Sequence, residues 1–112
     1  MSFEIITSDY FDTEAKALAK RYKSFKKDLI EFRKELEKTP LQGTELAPNI
    51  RKIRMAITTK GRGKSGGARV ITYNALVTEQ EGKIYLLLIY DKADASSVKM
   101  NIVKQIVKEL IG

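Results

Sequence analysis

RKIRMAITTKGRGKSGGARVITYNALV (residues 51–77) alternates, turns and alternates again. Within residues 51–58, Ile53, Met55 and Ile57 fall on one side of an extended chain, and Lys52, Arg54, Ala56 and Thr58 fall on the other, because successive strand side chains point to opposite faces. Residues 61–67 form a glycine-rich turn, and residues 69–77 are rich in the β-branched and aromatic types that suit a pleated surface. Two strands joined by such a turn make an antiparallel hairpin. Its apolar side must be buried, so Lys52 and Arg54, about 7 Å apart at the rise of a strand, project from a solvent-facing surface. Arg69, near the start of the returning strand, is expected beside them, completing a shallow cationic trough.

The flanking chain is read from periodicity. Residues 3–7 alternate weakly, as a short first strand does. Asp9 suits a helix cap, and Phe11, Ala15, Leu18, Ala19 and Tyr22 then share one helical face. Ser24 suits the cap of a second helix striped by Phe25, Leu29, Phe32 and Leu36. Thr39-Pro40 ends it, since a residue before proline disfavours the helical region. The short connection makes the two helices an antiparallel hairpin, and their outward charges of both signs read as a solvated face. Residues 41–49 read as a connecting loop and 79–82 as a turn. Ile84 to Tyr90 is apolar on both faces, as a covered central strand is. A last helix is expected to begin between Asp94 and Ser97 and to bury Val98, Ile102, Ile106 and Leu110. The predicted order is β-α-α-β-β-β-α. It describes a single α+β domain over residues 1–112, an antiparallel sheet with a mixed edge, an N-terminal helical hairpin and a C-terminal helix.

Charge localises the function. The net charge is +7, and between Leu46 and Thr78 there is no Asp or Glu. Arg51, Lys52, Arg54, Lys60, Arg62, Lys64 and Arg69 lie in that stretch; the other 14 basic residues are balanced by 14 acidic ones. Cations concentrated without counter-charges make a field that attracts polyanions, and the phosphate backbone of RNA fits it. Lys60, Arg62 and Lys64, on the turn, are candidates for holding that backbone. The chain has no cysteine and no histidine, which removes disulfides, thiolate metal sites and the usual nucleophile–base pairs. No cofactor or metal is expected. Asp91 and Asp94 have a spacing that also suits a strand end and a helix cap, and that is the reading adopted. The N-terminus lacks the pattern of a secretory signal. The longest apolar run, seven residues, is too short to span a bilayer. These features point to a soluble, cytoplasmic domain.

The turn imitates two nucleotide motifs. Residues 61–66 fit GxGxxG by spacing, and Gly63-Lys64-Ser65 matches the end of a phosphate-binding loop. Both motifs require a helix to follow. Here Ala68-Arg69-Val70-Ile71-Thr72-Tyr73 are strand formers, so both are rejected. Basic residues alone can support RNA cleavage by the RNA's own 2′-hydroxyl: the enzyme aligns the nucleophile and stabilises charge on phosphorus, which guanidinium groups do through bidentate contacts. A lysine serves as base there if neighbouring cations depress its pKa.

Arg51-Lys52-Ile53-Arg54, the run from Lys60 to Ile71 (KGRGKSGGARVI) and Tyr85 to Lys92 (YLLLIYDK) together resemble the RelE/ParE superfamily of toxins from bacterial toxin–antitoxin modules, closest to the HigB/RelE-like branch. The resemblance covers nearly the whole chain. It implies a RelE-like fold and a metal-independent, ribosome-dependent mRNA endonuclease that enters the ribosomal A site and inhibits translation. It also implies a cognate antitoxin, of helix-turn-helix type, as partner. By position it implies catalytic roles for Lys52, Arg54, Arg69 and Lys92. Residues 93–101 hold neither the tyrosine nor the histidine that relatives carry there, so either another group such as Lys52 or Tyr90 supplies acid–base help or proton transfer matters less. Arg51, Lys60, Arg62 and Lys64 are assigned to RNA binding, and Tyr73 and Tyr90 could stack on a base. Two other readings keep the fold: a gyrase inhibitor without the cationic site, and a ribosome- or RNA-binding blocker that does not cut.

Overall fold

Strand β1 (Ser2–Thr7) runs into helix α1 (Asp9–Arg21) through Ser8, whose buried hydroxyl accepts from the Phe11 N–H at 3.0 Å and donates to the Leu87 carbonyl at 2.6 Å. The cap is therefore Ser8 and not Asp9, which sits in the first turn, where its negative charge suits the helix dipole. Helix α2 (Phe25–Lys38) follows and stops before Pro40. Ser24 precedes it without capping its backbone. Its hydroxyl donates to Asp28 at 2.7 Å and accepts from the Thr59 N–H at 3.0 Å. Then come β2 (Thr44–Ala47), β3 (Ile50–Met55), a 3₁₀ turn (Thr58–Lys60), a single helical turn α3 (Gly63–Gly66), β4 (Ala68–Thr78), β5 (Glu81–Asp91) and α4 (Met100–Ile111). This is a computed structural model. It describes residues 2–78 and 81–112; residues 79 and 80, half of the turn expected at 79–82, lie outside the described residues.

The architecture is a mixed α+β fold with a five-stranded sheet in the order β1-β5-β4-β3-β2. β1 joins β5 in parallel, and every other pair is antiparallel. One face carries Ile53, Met55, Val70, Ile84, Leu86 and Ile89, packed with Phe11, Leu18, Phe25, Phe32 and Leu36 of the helical hairpin. The other carries Ile50, Ile71 and Leu87 beneath Val103 and Ile106 of α4. β4 and β5 are thus covered on both sides, as the apolar run in residues 84–90 predicts.

The element order departs from the predicted one in three places. Residues 44–47, read as loop, form edge strand β2 on β3. A four-residue edge strand is held by backbone hydrogen bonds along one side, so it needs no alternating pattern to announce it. Gly43 permits this approach. It has φ +86°, and a Cβ there would lie 2.4 Å from the Lys52 carbonyl oxygen. The glycine-rich turn is also not a simple hairpin turn, because it contains the 3₁₀ turn and α3. Gly67 is obligatory in it, since a Cβ would lie 2.1 Å from the Met55 carbonyl oxygen.

Third, the last helix starts at Met100, not at residues 94–97; Val98, Ile106 and Leu110 pack against the sheet as expected, but the buried face is rotated from Ile102 to Val103. Val103 is buried and Ile102 is 45% exposed. Val103, Ile106, Val107 and Leu110 form the stripe, at helical spacing from the true start. Accordingly, Val103→Ala is expected to cost about 1–3 kcal/mol, whereas Ile102→Ala stays within about 0.5 kcal/mol of the parent. Urea unfolding of the two variants checks this, and equal losses would contradict the rotated face.

Candidate functional site

The β3–β4 register sets Arg54 directly opposite Arg69, and the β4–β5 register sets Arg69 opposite Tyr90. Like charges facing each other across a ladder are destabilising. Lys52 lies two residues along β3 from Arg54, on the same face. At the end of β5 the Lys92 N–H donates to the Gly67 carbonyl at 3.0 Å, which ties the strand end to the glycine-rich turn. The outcome is one cleft of about 510 Å³ lined by Lys52, Arg54, Lys64, Arg69 and Lys92 together with Gln42, Gly43, Thr44, Ile53 and Ser96. It has five cations and no carboxylate in its lining.

Arg69 is the centre of this arrangement, and it does not lie on the solvent-facing surface expected for it: the residue is only 6% exposed. One Nη donates to the Ser65 carbonyl at 2.9 Å, and the other donates to those of Ala68 and Lys64 at 3.2 and 3.4 Å. These bonds close the C-terminal end of α3 and fix the guanidinium plane. They use three of its five N–H groups, leaving two donors. No acidic partner reaches Arg69 among the described residues. A buried cation balanced only by carbonyl dipoles is expensive unless an anion completes it. Lys52, Arg54 and Lys92 likewise have no ion-pair partner among the described residues, while Lys64 meets Glu35 at 3.4 Å in an exposed pair.

The structure thus brings together Lys52, Arg54, Arg69 and Lys92, with Lys64 at the rim. It sets the others apart. Arg51 is one residue out of phase with Lys52, so it lies on the opposite face and donates to the Gly43 carbonyl at 3.4 Å. Arg62 is exposed outside the cleft lining. Tyr73 packs edge-on against Tyr85, with ring centroids 6.3 Å apart, away from the cleft. Tyr90 lies beside Arg69, but its hydroxyl is buried with no hydrogen-bond partner. Burial pushes that hydroxyl's pKa up, and the Arg69 charge partly counters it. Gln42, Gly43 and Thr44 escaped sequence reasoning because they sit in a segment read as a connecting loop, and Ser96 because it was read as the start of the last helix.

Lys60 corrects the sequence reading most directly. Expected to hold RNA, it is folded under the sheet by the 3₁₀ turn, where its Nζ donates to Asp91 Oδ1 at 2.6 Å with the lysine side chain 10% exposed. The other Asp91 oxygen accepts from Arg21 at 3.1 Å and from the Tyr22 hydroxyl, and the Ala93 N–H donates to Oδ1 at 3.0 Å. Arg21 also holds Asp94 at 2.9 Å. Asp91 and Asp94 are therefore engaged by cations, and Asp94 does not cap α4. Among the described residues no group of three or more His, Cys, Asp or Glu is placed to hold a metal ion.

Burial by itself would raise the Asp91 carboxyl. Hydrogen bonds from Lys60, Tyr22 and Ala93, with the Lys60 charge, outweigh it and hold the group well below the usual carboxylate range. Asp28 is lowered in the same sense: burial opposes, but Thr58 and Ser24 donate to it and prevail. Its carboxylate takes the Thr58 N–H at 2.8 Å and so anchors the 3₁₀ turn to α2. A depressed folded pKa stabilises above the unfolded value, about 4, and that contribution drains away as pH falls through the folded value. Thermal midpoints are therefore expected to be flat above about pH 5 and to fall steeply below about pH 4. Asp91→Asn should flatten that acid limb; an unchanged limb would remove Asp91 as its cause.

Compared with protein-family models, the sequence matches none. No helix among the described residues is long and apolar enough to cross a membrane.

Proposed function

We propose that the chain is a RelE-like toxin of a bacterial toxin–antitoxin module, a metal-independent endoribonuclease that cuts mRNA in the ribosomal A site. The observation that carries this is the buried, counter-ion-free Arg69 at the floor of a cleft with five cations and no carboxylate. Such a site is built for a phosphate. With RNA bound, the 2′-oxygen gives its proton to a solvent water and bonds to the adjacent phosphorus, while the bond from phosphorus to the 5′-oxygen breaks and that oxygen departs with a proton from a lysine of the cleft. Charge builds on the non-bridging oxygens, where the two remaining donors of Arg69 are held in advance and Arg54 adds a second guanidinium from the facing strand. The ammonium groups of Lys52 and Lys92 are the cleft's proton donors for the departing oxygen.

No aromatic side chain lines the cleft, so it grips backbone and offers no stacking platform for a base. Presentation of a splayed message by the ribosome fits that lack. The proposed cytoplasmic partners are the ribosome, its mRNA and a cognate antitoxin.

The test is induction in a coupled translation reaction with primer extension on the message. Codon-phased cuts that vanish in Lys52→Ala support the reading. Translational arrest with intact message would replace it by a blocker, and broken DNA with running translation by a gyrase inhibitor.

A further inference from the structure

The arrangement of the cleft cations distinguishes one phosphate from two, and this inference rests on the phosphate-binding reading above. Arg54 and Arg69 face each other across the β3–β4 ladder, and both line the cleft. Lys52 stands one side-chain step further along β3 on the same face, about 7 Å away, which is near the separation of successive phosphates in an extended strand. It faces Thr44 of β2 across the ladder, and both line the cleft. Four of the five cations have no ion-pair partner among the described residues. One phosphodiester, with a single charge, leaves most of that excess uncompensated, whereas two terminal phosphates carry about −1.5 to −2 each.

We infer that the cleft contains two phosphate subsites, one at Arg54–Arg69 and one at Lys52, and that it binds free nucleoside 3′,5′-bisphosphates in competition with RNA. The ribose spans the two through its C3′, C4′ and C5′ carbons, with the 2′-hydroxyl beside the 3′-phosphate. The inference names a small-molecule ligand class for the site and a way in which a soluble nucleotide pool would restrain it.

Adenosine 3′,5′-bisphosphate, 3′-monophosphate and 5′-monophosphate are the probes, titrated calorimetrically at low salt into the full chain and into Lys52→Gln and Arg54→Gln. Neither side chain has a hydrogen-bond or ion-pair partner among the described residues, so neither variant should melt below the parent. The bisphosphate is expected to bind about tenfold or more tightly than either monophosphate. Lys52→Gln should erase that advantage, Arg54→Gln should weaken all three ligands, and the bisphosphate should displace a labelled oligoribonucleotide. Equal affinity for all three, or no nucleotide binding while the oligoribonucleotide binds, overturns the two-subsite inference and leaves phosphate recognition standing. Loss of both nucleotide and oligoribonucleotide binding would overturn the two together.

Discussion

Arg69→Ala is expected to lower RNA cleavage by about 10²–10³-fold, the usual cost of removing one donor aimed at developing charge. The guanidinium is held in place before substrate arrives by three backbone carbonyls, so no ordering is needed at the moment of reaction. Arg69→Lys should recover little, because an ammonium cannot satisfy the Ser65 and Lys64 carbonyls and also present two coplanar donors. Both variants also release the end of α3, so melting temperature must be measured beside the rate. Arg54→Gln separates the two effects: Arg54 is exposed, has no hydrogen-bond or ion-pair partner among the described residues and faces Arg69 across the ladder, so its loss should slow cleavage without lowering the melting temperature. Full activity in Arg69→Ala, with the protein folded, would rule the cleft out as the cutting site.

Asp91→Ala has the largest expected effect on stability. It leaves Lys60 charged, almost fully buried and without its counter-ion, a change that costs about 3–5 kcal/mol. A domain of this size has a total stability of about 5–15 kcal/mol, so the variant should melt far below the parent. A paired replacement such as Lys60→Met with Asp91→Leu removes both charges and is expected to regain part of the loss, the remainder being the Tyr22 hydroxyl and Ala93 N–H left without their acceptor. Urea unfolding of the single and double variants reads this directly. A single variant as stable as the parent would show that solvent already screens the pair. Because Lys92 follows Asp91 and is tied to Gly67, loosening this cluster should also disturb the lip of the cleft.

The helical hairpin was legible in the sequence because its stripes recur over three or more turns each. Phe11, Leu18, Phe25, Phe32 and Leu36 are all buried in one cluster with the face Ile53, Met55 and Ile57. The period of two in residues 51–58 likewise placed Lys52 and Arg54 on one face without any coordinates. Lys60 was misread because a charge in a glycine-rich turn carries no information about which way the turn folds. Ile106 and Leu110 were placed correctly; Val103 was missed for Ile102 because both stand at helical spacing from those two, and only packing against the sheet decides which is covered.

The sequence by itself determined that seven uncompensated cations lie in residues 51–69 and that Lys52 and Arg54 share a strand face, because these follow from composition and from local backbone geometry. Only the tertiary structure decided which of those cations meet. Register put Arg54 against Arg69, the closure of β5 onto Gly67 brought in Lys92 from 23 residues further along the chain, and the buried carboxylate of Asp91 took Lys60 for itself. Strand register, chain crossings and the neutralisation of a buried charge depend on partners far away in sequence, and no local pattern encodes them.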